Sequence, residues 1–220
     1  MKKSLILLIS VVVFFLVLFM IVPVLIDDEL KKEDDKKELI SKEQVGEFLN
    51  KDNLYENYSH NYTIKIPENY KQNKGIGKYS SVQFYNEDLR FVVSINVGKQ
   101  DFGNIKNNKL LNKLKDDPDF LSETMSNSLK ERGFIDSKLT NTNIVNYNNR
   151  EFLKLEFNSN RISNNEQNPS LITVFTTYYN DFIYMFQFVS YDINSIERWN
   201  TEIQKSMSNV IISKYITKKK

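Results

Sequence analysis

The chain has 220 residues, of which 40% are apolar, 13% aromatic and 26% charged, a globular composition that excludes wholesale disorder, collagen and a long coiled coil. It contains no cysteine and one histidine, His60, which excludes a disulfide framework, thiol catalysis and thiolate or His-rich metal sites. A formal charge of +2 argues against a dedicated nucleic-acid binder.

Leu5 to Ile26 read LILLISVVVFFLVLFMIVPVLI, without a charge. As a helix this run is about 33 Å long at 1.5 Å per residue, enough for a hydrocarbon core of about 30 Å. No Ala, Gly or Ser lies between Met20 and Ile26 to make a small-residue cleavage site, so residues 1–26 are expected to be a short tail and an uncleaved transmembrane anchor. Lys2 and Lys3 precede the run, and Asp27, Asp28 and Glu29 come directly after it. That asymmetry predicts a cytoplasmic N-terminus and an extracytoplasmic body at the cell membrane, although Asp27 to Gln44 holds five lysines beside its eight acids. The lipid bilayer is thus the first expected partner. Residues 27–53 read as a charged, partly helical stalk in which Leu39, Val45, Phe48 and Leu49 make a weak apolar stripe.

Strands dominate the chain beyond the stalk. Tyr62, Ile64 and Ile66 alternate up to Pro67, which cannot donate to a ladder. Tyr79 to Tyr85 and Leu89 to Val97 flank an Asn86-Glu87-Asp88 turn. Lys109 to Lys115 makes a short helix carrying Leu110, Leu111 and Leu114. The next helix has Asp117 as cap, Pro118 first, Leu121, Met125 and Leu129 on one stripe, and Gly133 beyond its end. Ile144 to Tyr147 and Arg150 to Phe157 flank Asn148-Asn149, and Leu171 to Tyr179 and Phe182 to Val189 flank Asn180-Asp181. Both dipeptides tolerate the positive φ of a two-residue hairpin. Asn158 to Ser170 reads as a polar loop. The strand from Phe182 is apolar on both faces, so the sheet is expected to be covered on both sides. A last helix after Asn194 puts Ile196, Trp199, Ile203, Met207 and Val210 on one face. Residues 216–220 are a basic tail. The elements make an α+β domain, an antiparallel β-sheet flanked by helices, preceded by one N-terminal transmembrane helix.

The chemistry-bearing residues are sparse. Asp116, Asp117 and Asp119 lack the ligand spacing of an EF-hand and are read as helix capping. His60 has no nucleophile motif beside it and is expected at the surface ahead of a strand. Gly75-Ile76-Gly77 lacks the remaining features of a phosphate loop. Glu151 and Glu156 are five apart and fall on opposite faces of a strand, so they do not form a glycosidase pair. Asn57-Tyr58-Ser59 and Asn61-Tyr62-Thr63 match glycosylation sequons. No catalytic, cofactor or metal residues are assigned.

The order of elements resembles the PsbP-like family. The resemblance is carried by Tyr62-x-Ile64-x-Ile66-Pro67-x-x-Tyr70 at the start, the strand Phe91 to Val97, the Asn148-Asn149-Arg150 turn, the aromatic hairpin, and the final helix running into Val210-Ile211-Ile212-Ser213. Tyr70 stands where that family often has Trp, and Lys214-Tyr215 comes after Ser213. It spans residues 54–215 and implies an α/β/α sandwich around an antiparallel sheet, with no shared catalytic residues to carry over. The family's role beside photosystem II does not transfer with the fold.

The expected function is a membrane-anchored, non-enzymatic extracytoplasmic domain that binds or supports an unidentified envelope protein. Candidate contacts are Tyr58, His60 and Tyr62, with Arg161, Asn164 and Asn165. The alternative is a small-ligand or lipid-binding module with Phe182, Phe186 and Trp199 between sheet and helix, residues that ordinary core packing explains as well. An extracytoplasmic hydrolase ranks last, for want of a nucleophile-base-acid set.

Overall fold

The computed structural model describes residues 47–49, 52–73, 80–100, 106–131, 133–163 and 166–214. The expected anchor at 5–26, the stalk up to residue 46, Gly75-Ile76-Gly77, Asn164, Asn165 and the basic tail lie outside them. Among the described residues no helix is long and apolar enough to cross a membrane.

Eleven strands fall into two sheets among these residues. The large sheet has seven strands in the order β4 (Lys71–Asn73), β5 (Ser80–Asn86), β6 (Phe91–Lys99), β10 (Phe182–Ser190), β9 (Glu166–Tyr179), β8 (Arg150–Ser163) and β7 (Phe134–Tyr147). Every neighbouring pair is antiparallel. The small sheet joins β1 (Glu47–Leu49), β2 (Leu54–Asn57), β3 (Tyr62–Lys65) and β11 (Ile211–Ile212). Glu47–Leu49 therefore belongs to a strand paired with β2, and the helical reading of the stalk fails there.

The hairpin turns are explained by their residues. Asn148 and Asn149 have φ of 49° and 61°, Asn180 and Asp181 of 49° and 62°. Two successive positive φ values match the right-handed twist of the strands they join, and short Asx side chains tolerate that region. Helix α1 (Asn107–Lys115) buries Leu110, Leu111 and Leu114. Helix α2 (Pro118–Glu131) buries Leu121, Met125 and Leu129. Its N-terminus is capped by Asp117, whose Oδ1 accepts from Phe120 N at 3.2 Å. Gly133 ends the element with φ of 80°, a conformation an L side chain adopts only with strain. Helix α3 (Ile196–Met207) comes after a 3-10 turn at Ile193–Ser195 and buries Trp199, Ile203 and Met207. Ile196, expected on that buried face, is 48% exposed.

Strand β10 shows why both sides must be covered. Ile183, Met185 and Val189 enter a largely aliphatic core with α1 and α2. Tyr184, Phe186 and Phe188 enter an aromatic core with α3 and the small sheet. The second cover is thus helix plus strands, where the sequence pattern predicts helices. The alternation of β2 and β3 explains it: Tyr55, Tyr62 and Ile64 turn one apolar face onto the large sheet.

The expected loop at 158–170 is strand at 158–163 and 166–170. The β8–β9 ladder continues past Phe157 through Arg161↔Asn168 to Ser163↔Glu166. An antiparallel ladder is held by backbone bonds, so polar side chains are accommodated wherever one face meets water. Pro169 lies beyond the part of β9 that β10 pairs, Leu171 to Tyr179, where β9 has no second neighbour and a missing N–H is tolerated. The β7–β8–β9 end therefore projects past β10 as a wing.

Candidate binding clefts beside helix α3

Two depressions flank α3. The first lies at its C-terminal half, against the β3–β4 connection and the β5–β6 turn. It has a volume of about 480 Å³ and is lined by Lys65, Glu68, Asp88, Arg198, Glu202 and Lys205, with Ile66, Pro67 and Leu89 as its apolar part and Ser206 in its wall. Lys205 pairs with Glu202 at 3.3 Å. Ser206 is fully buried, and its hydroxyl has no hydrogen-bond partner. Tyr70 comes directly after the lining residue Asn69. It is buried too, and its hydroxyl is likewise unpartnered. Burial, reinforced by the Glu202 carboxylate and opposed by Arg198, pushes the Tyr70 phenol well above its ordinary range.

The second depression is a groove at the N-terminal end of α3. Its floor is the wing, with Lys138, Asn158, Asn160 and Leu171, and its rim is Ile193 and Ile196. A volume of about 470 Å³ continues into a hollow of about 170 Å³ reaching Trp199 and Asn200. One face of the wing carries Leu153, Leu155 and Phe157 into the aliphatic core. The alternate residues Lys154, Glu156 and Asn158 occupy the groove side. There Lys154 Nζ meets Glu156 Oε1 at 2.7 Å, and Asn141 Nδ2 donates to Glu156 Oε2 at 2.6 Å. Ile162 alternates onto the same side of β8 and is 49% exposed; Ile193, on the rim, is 43% exposed.

The residues expected as partner contacts lie in two separate places. Tyr58 and His60 lie in the β2–β3 turn, half-buried. Tyr58 donates to Glu56 Oε2 at 2.7 Å, and the His60 ring meets Phe182 edge-on at 5.9 Å. Tyr62 is fully buried among Tyr55, Tyr184 and Phe186, so its reading as a contact residue is corrected: it is core. Arg161 sits at the other end of β10, donating to the Tyr191 hydroxyl at 2.8 Å and lying over the Tyr191 and Phe134 rings. At about 3.3 Å per residue, the length of β10 separates these two places by roughly 26 Å.

The expected pocket residues are also placed otherwise. Phe186 packs edge-on against Tyr62 and Phe152. Trp199 packs on Phe91 at 4.9 Å and Phe188 at 6.1 Å. Both are buried to 2% or less, and aromatic core packing is their role; Phe182 is half-buried at the edge. The sequon at Asn57 is closed in the folded state. That side chain is fully buried, its Oδ1 accepting from His60 N at 2.8 Å.

Arg198, Ser206 and the Ile193 rim were missed by sequence reasoning. Ser206 did leave a signal: it falls three residues after Ile203 on the buried stripe, a polar residue where the pattern demands an apolar one. Nothing in the sequence marks Lys65 and Asp88, because their meeting depends on two turns docking beside one helix.

No protein-family model matches the chain, and no curated protein does. Among solved structures, the solution structure of cyanobacterial PsbP (CyanoP) from Synechocystis sp. PCC 6803 matches with a TM-score of 0.54 at 14% identity, covering 80% of this chain and 99% of that one. The domain has the PsbP-like fold. A looser likeness, with a TM-score of 0.42 at 8% identity, is to LpqN, a protein involved in cell envelope biogenesis of Mycobacterium tuberculosis; it covers 69% of this chain and 83% of that one. The PsbP-like domain here keeps an aromatic core on the side of its sheet where both clefts open.

Proposed function

We propose that the chain is a membrane-tethered, extracytoplasmic accessory domain without catalytic activity, which binds an envelope protein through the groove at the N-terminal end of α3. The tether rests on the uncharged run from Leu5 to Ile26 and its flanking charges. The binding role rests on one observation: Ile193 and Ile196, each more than 40% exposed, form the apolar rim of the groove against the wing. Two large aliphatic side chains beside a polar floor, with exposed Ile162 further along β8, give an interface its apolar anchors and its hydrogen-bonding rim. Among the described residues no group of three or more His, Asp or Glu side chains is arranged to hold a metal.

The test is native mass spectrometry of the full-length protein purified in mild detergent from its own host. The expected result is an intact anchor mass with a stoichiometric second protein. That partner is lost in the double variant Ile193→Asp/Ile196→Asp and retained in Tyr58→Ala, at the far end of β10. Retention in the double variant, or loss in Tyr58→Ala alone, would place the interface elsewhere.

A further inference from the structure

The cleft at the C-terminal half of α3 has a chemistry unlike that of the groove. Three cations, Lys65, Arg198 and Lys205, and three acids, Glu68, Asp88 and Glu202, line it. Only Lys205 and Glu202 are paired with each other; neither Lys65 nor Arg198 is in an ion pair among the described residues. The balance of signs disfavours a polyanion. No aromatic ring is among the described lining residues, so the stacking platform of a sugar or base site is missing. The apolar part is confined to Ile66, Pro67 and Leu89, too little for a lipid chain. The volume of about 480 Å³ falls in the usual range of small-ligand sites. A buried hydroxyl without a partner is also in its wall, that of Ser206. Native proteins seldom leave such a group unsatisfied.

We propose that this cleft binds a small zwitterion of the α-amino-acid type, a free amino acid or a short peptide. Arg198 and Lys65 supply the positive side for its carboxylate. Glu68 and Asp88 supply the negative side for its ammonium group. Ser206 Oγ is shielded from contact in the free protein, so the ligand has to displace the cleft wall before this hydroxyl meets the carboxylate and gains the partner it lacks.

Full-length protein in mild detergent tests this by titration calorimetry and thermal unfolding. The probes are L-alanine, L-alanyl-L-alanine and the uncharged N-acetyl-L-alanine amide. At least one zwitterion is expected to bind saturably and raise Tm, while the capped compound does neither. Arg198→Ala, an exposed position, should weaken binding about tenfold or more, as loss of a charge-assisted hydrogen bond does. Ser206→Ala should raise Tm of the free protein, because it removes a desolvated hydroxyl, yet weaken zwitterion binding several-fold. A merely structural serine would not move those two readouts in opposite directions. The proposal fails if neither zwitterion binds saturably, if the capped compound binds equally well, or if both variants bind as the parent does.

Discussion

The two faces of the seven-stranded sheet are packed with different side chains. Under α1 and α2 the buried residues are chiefly Leu, Ile, Val and Met. Under α3 and the small sheet they include Tyr55, Tyr62, Phe84, Phe91, Phe152, Phe175, Tyr184, Phe186, Phe188 and Trp199. Two regular helices lay aliphatic ridges onto a sheet with few gaps. A cover made of one helix and four short strands leaves an uneven space, and large rings fill it through edge-on contacts such as Phe175 with Phe188 at 5.8 Å and 89°. The same unevenness leaves this side incompletely closed, and both clefts open beside α3.

That contrast can be broken most directly on β10, where adjacent residues serve opposite faces. Phe186→Ala should destabilise the protein by about 3–5 kcal/mol, since it opens a ring-sized void among Tyr62 and Phe152. Met185→Leu, one residue away in the aliphatic core, should cost less than about 1.5 kcal/mol because volume is conserved. Urea unfolding measures both. Equal losses would mean that the aromatic face has no packing role of its own.

A smaller effect separates the faces by pH. Tyr184 is buried on the aromatic side, and its hydroxyl donates to the His60 carbonyl at 2.9 Å. Burial pushes its phenol up to about 12, with Arg150 opposing. A folded-state pKa above the unfolded value of about 10 favours the neutral form in the native protein. Its contribution is therefore complete below about pH 10 and lost as pH rises from about 10 toward 12. Tyr184→Phe should lower stability by about 1 kcal/mol near neutral pH through the lost hydrogen bond. The gap to the parent should narrow over about pH 10 to 12, because only the parent carries that ionisation. A pH-independent gap would remove the hydroxyl from the account. On the aliphatic side, Asp117→Ala should cost about 1 kcal/mol through the lost cap and show no alkaline change.

What the sequence made legible was local. Asp117, Pro118 and Gly133 bracket α2, Asn148-Asn149 and Asn180-Asp181 close their hairpins, and the two-sided apolar pattern of β10 demands cover on both faces. What escaped depends on partners distant in the chain. Asn158 to Ser170 looks like a loop because its composition is polar, while the ladder that makes 158–163 and 166–170 strand is backbone and leaves no compositional trace. Tyr62 looks like an exposed aromatic because nothing local says that Tyr184 and Phe186, more than a hundred residues later, close over it. The placing of Arg161 and His60 at opposite ends of β10 escaped as well, because periodicity carries no information about which end of a long strand a neighbour meets.

The smallest expected effect bears on the groove. Ile193→Ser/Ile196→Ser should change stability by no more than about 0.5 kcal/mol per site, since both side chains keep more than 40% of their surface in the unbound domain. Fully burying an isoleucine is worth about 1.5–3 kcal/mol, so a pair at 43% and 48% exposure keeps nearly half of that energy available to a partner. Urea midpoints of the double variant and the parent should therefore nearly coincide. A fall comparable to that of Phe186→Ala would show that the two isoleucines hold α3 onto the wing, and the groove would then be a seam of the fold and not its binding edge.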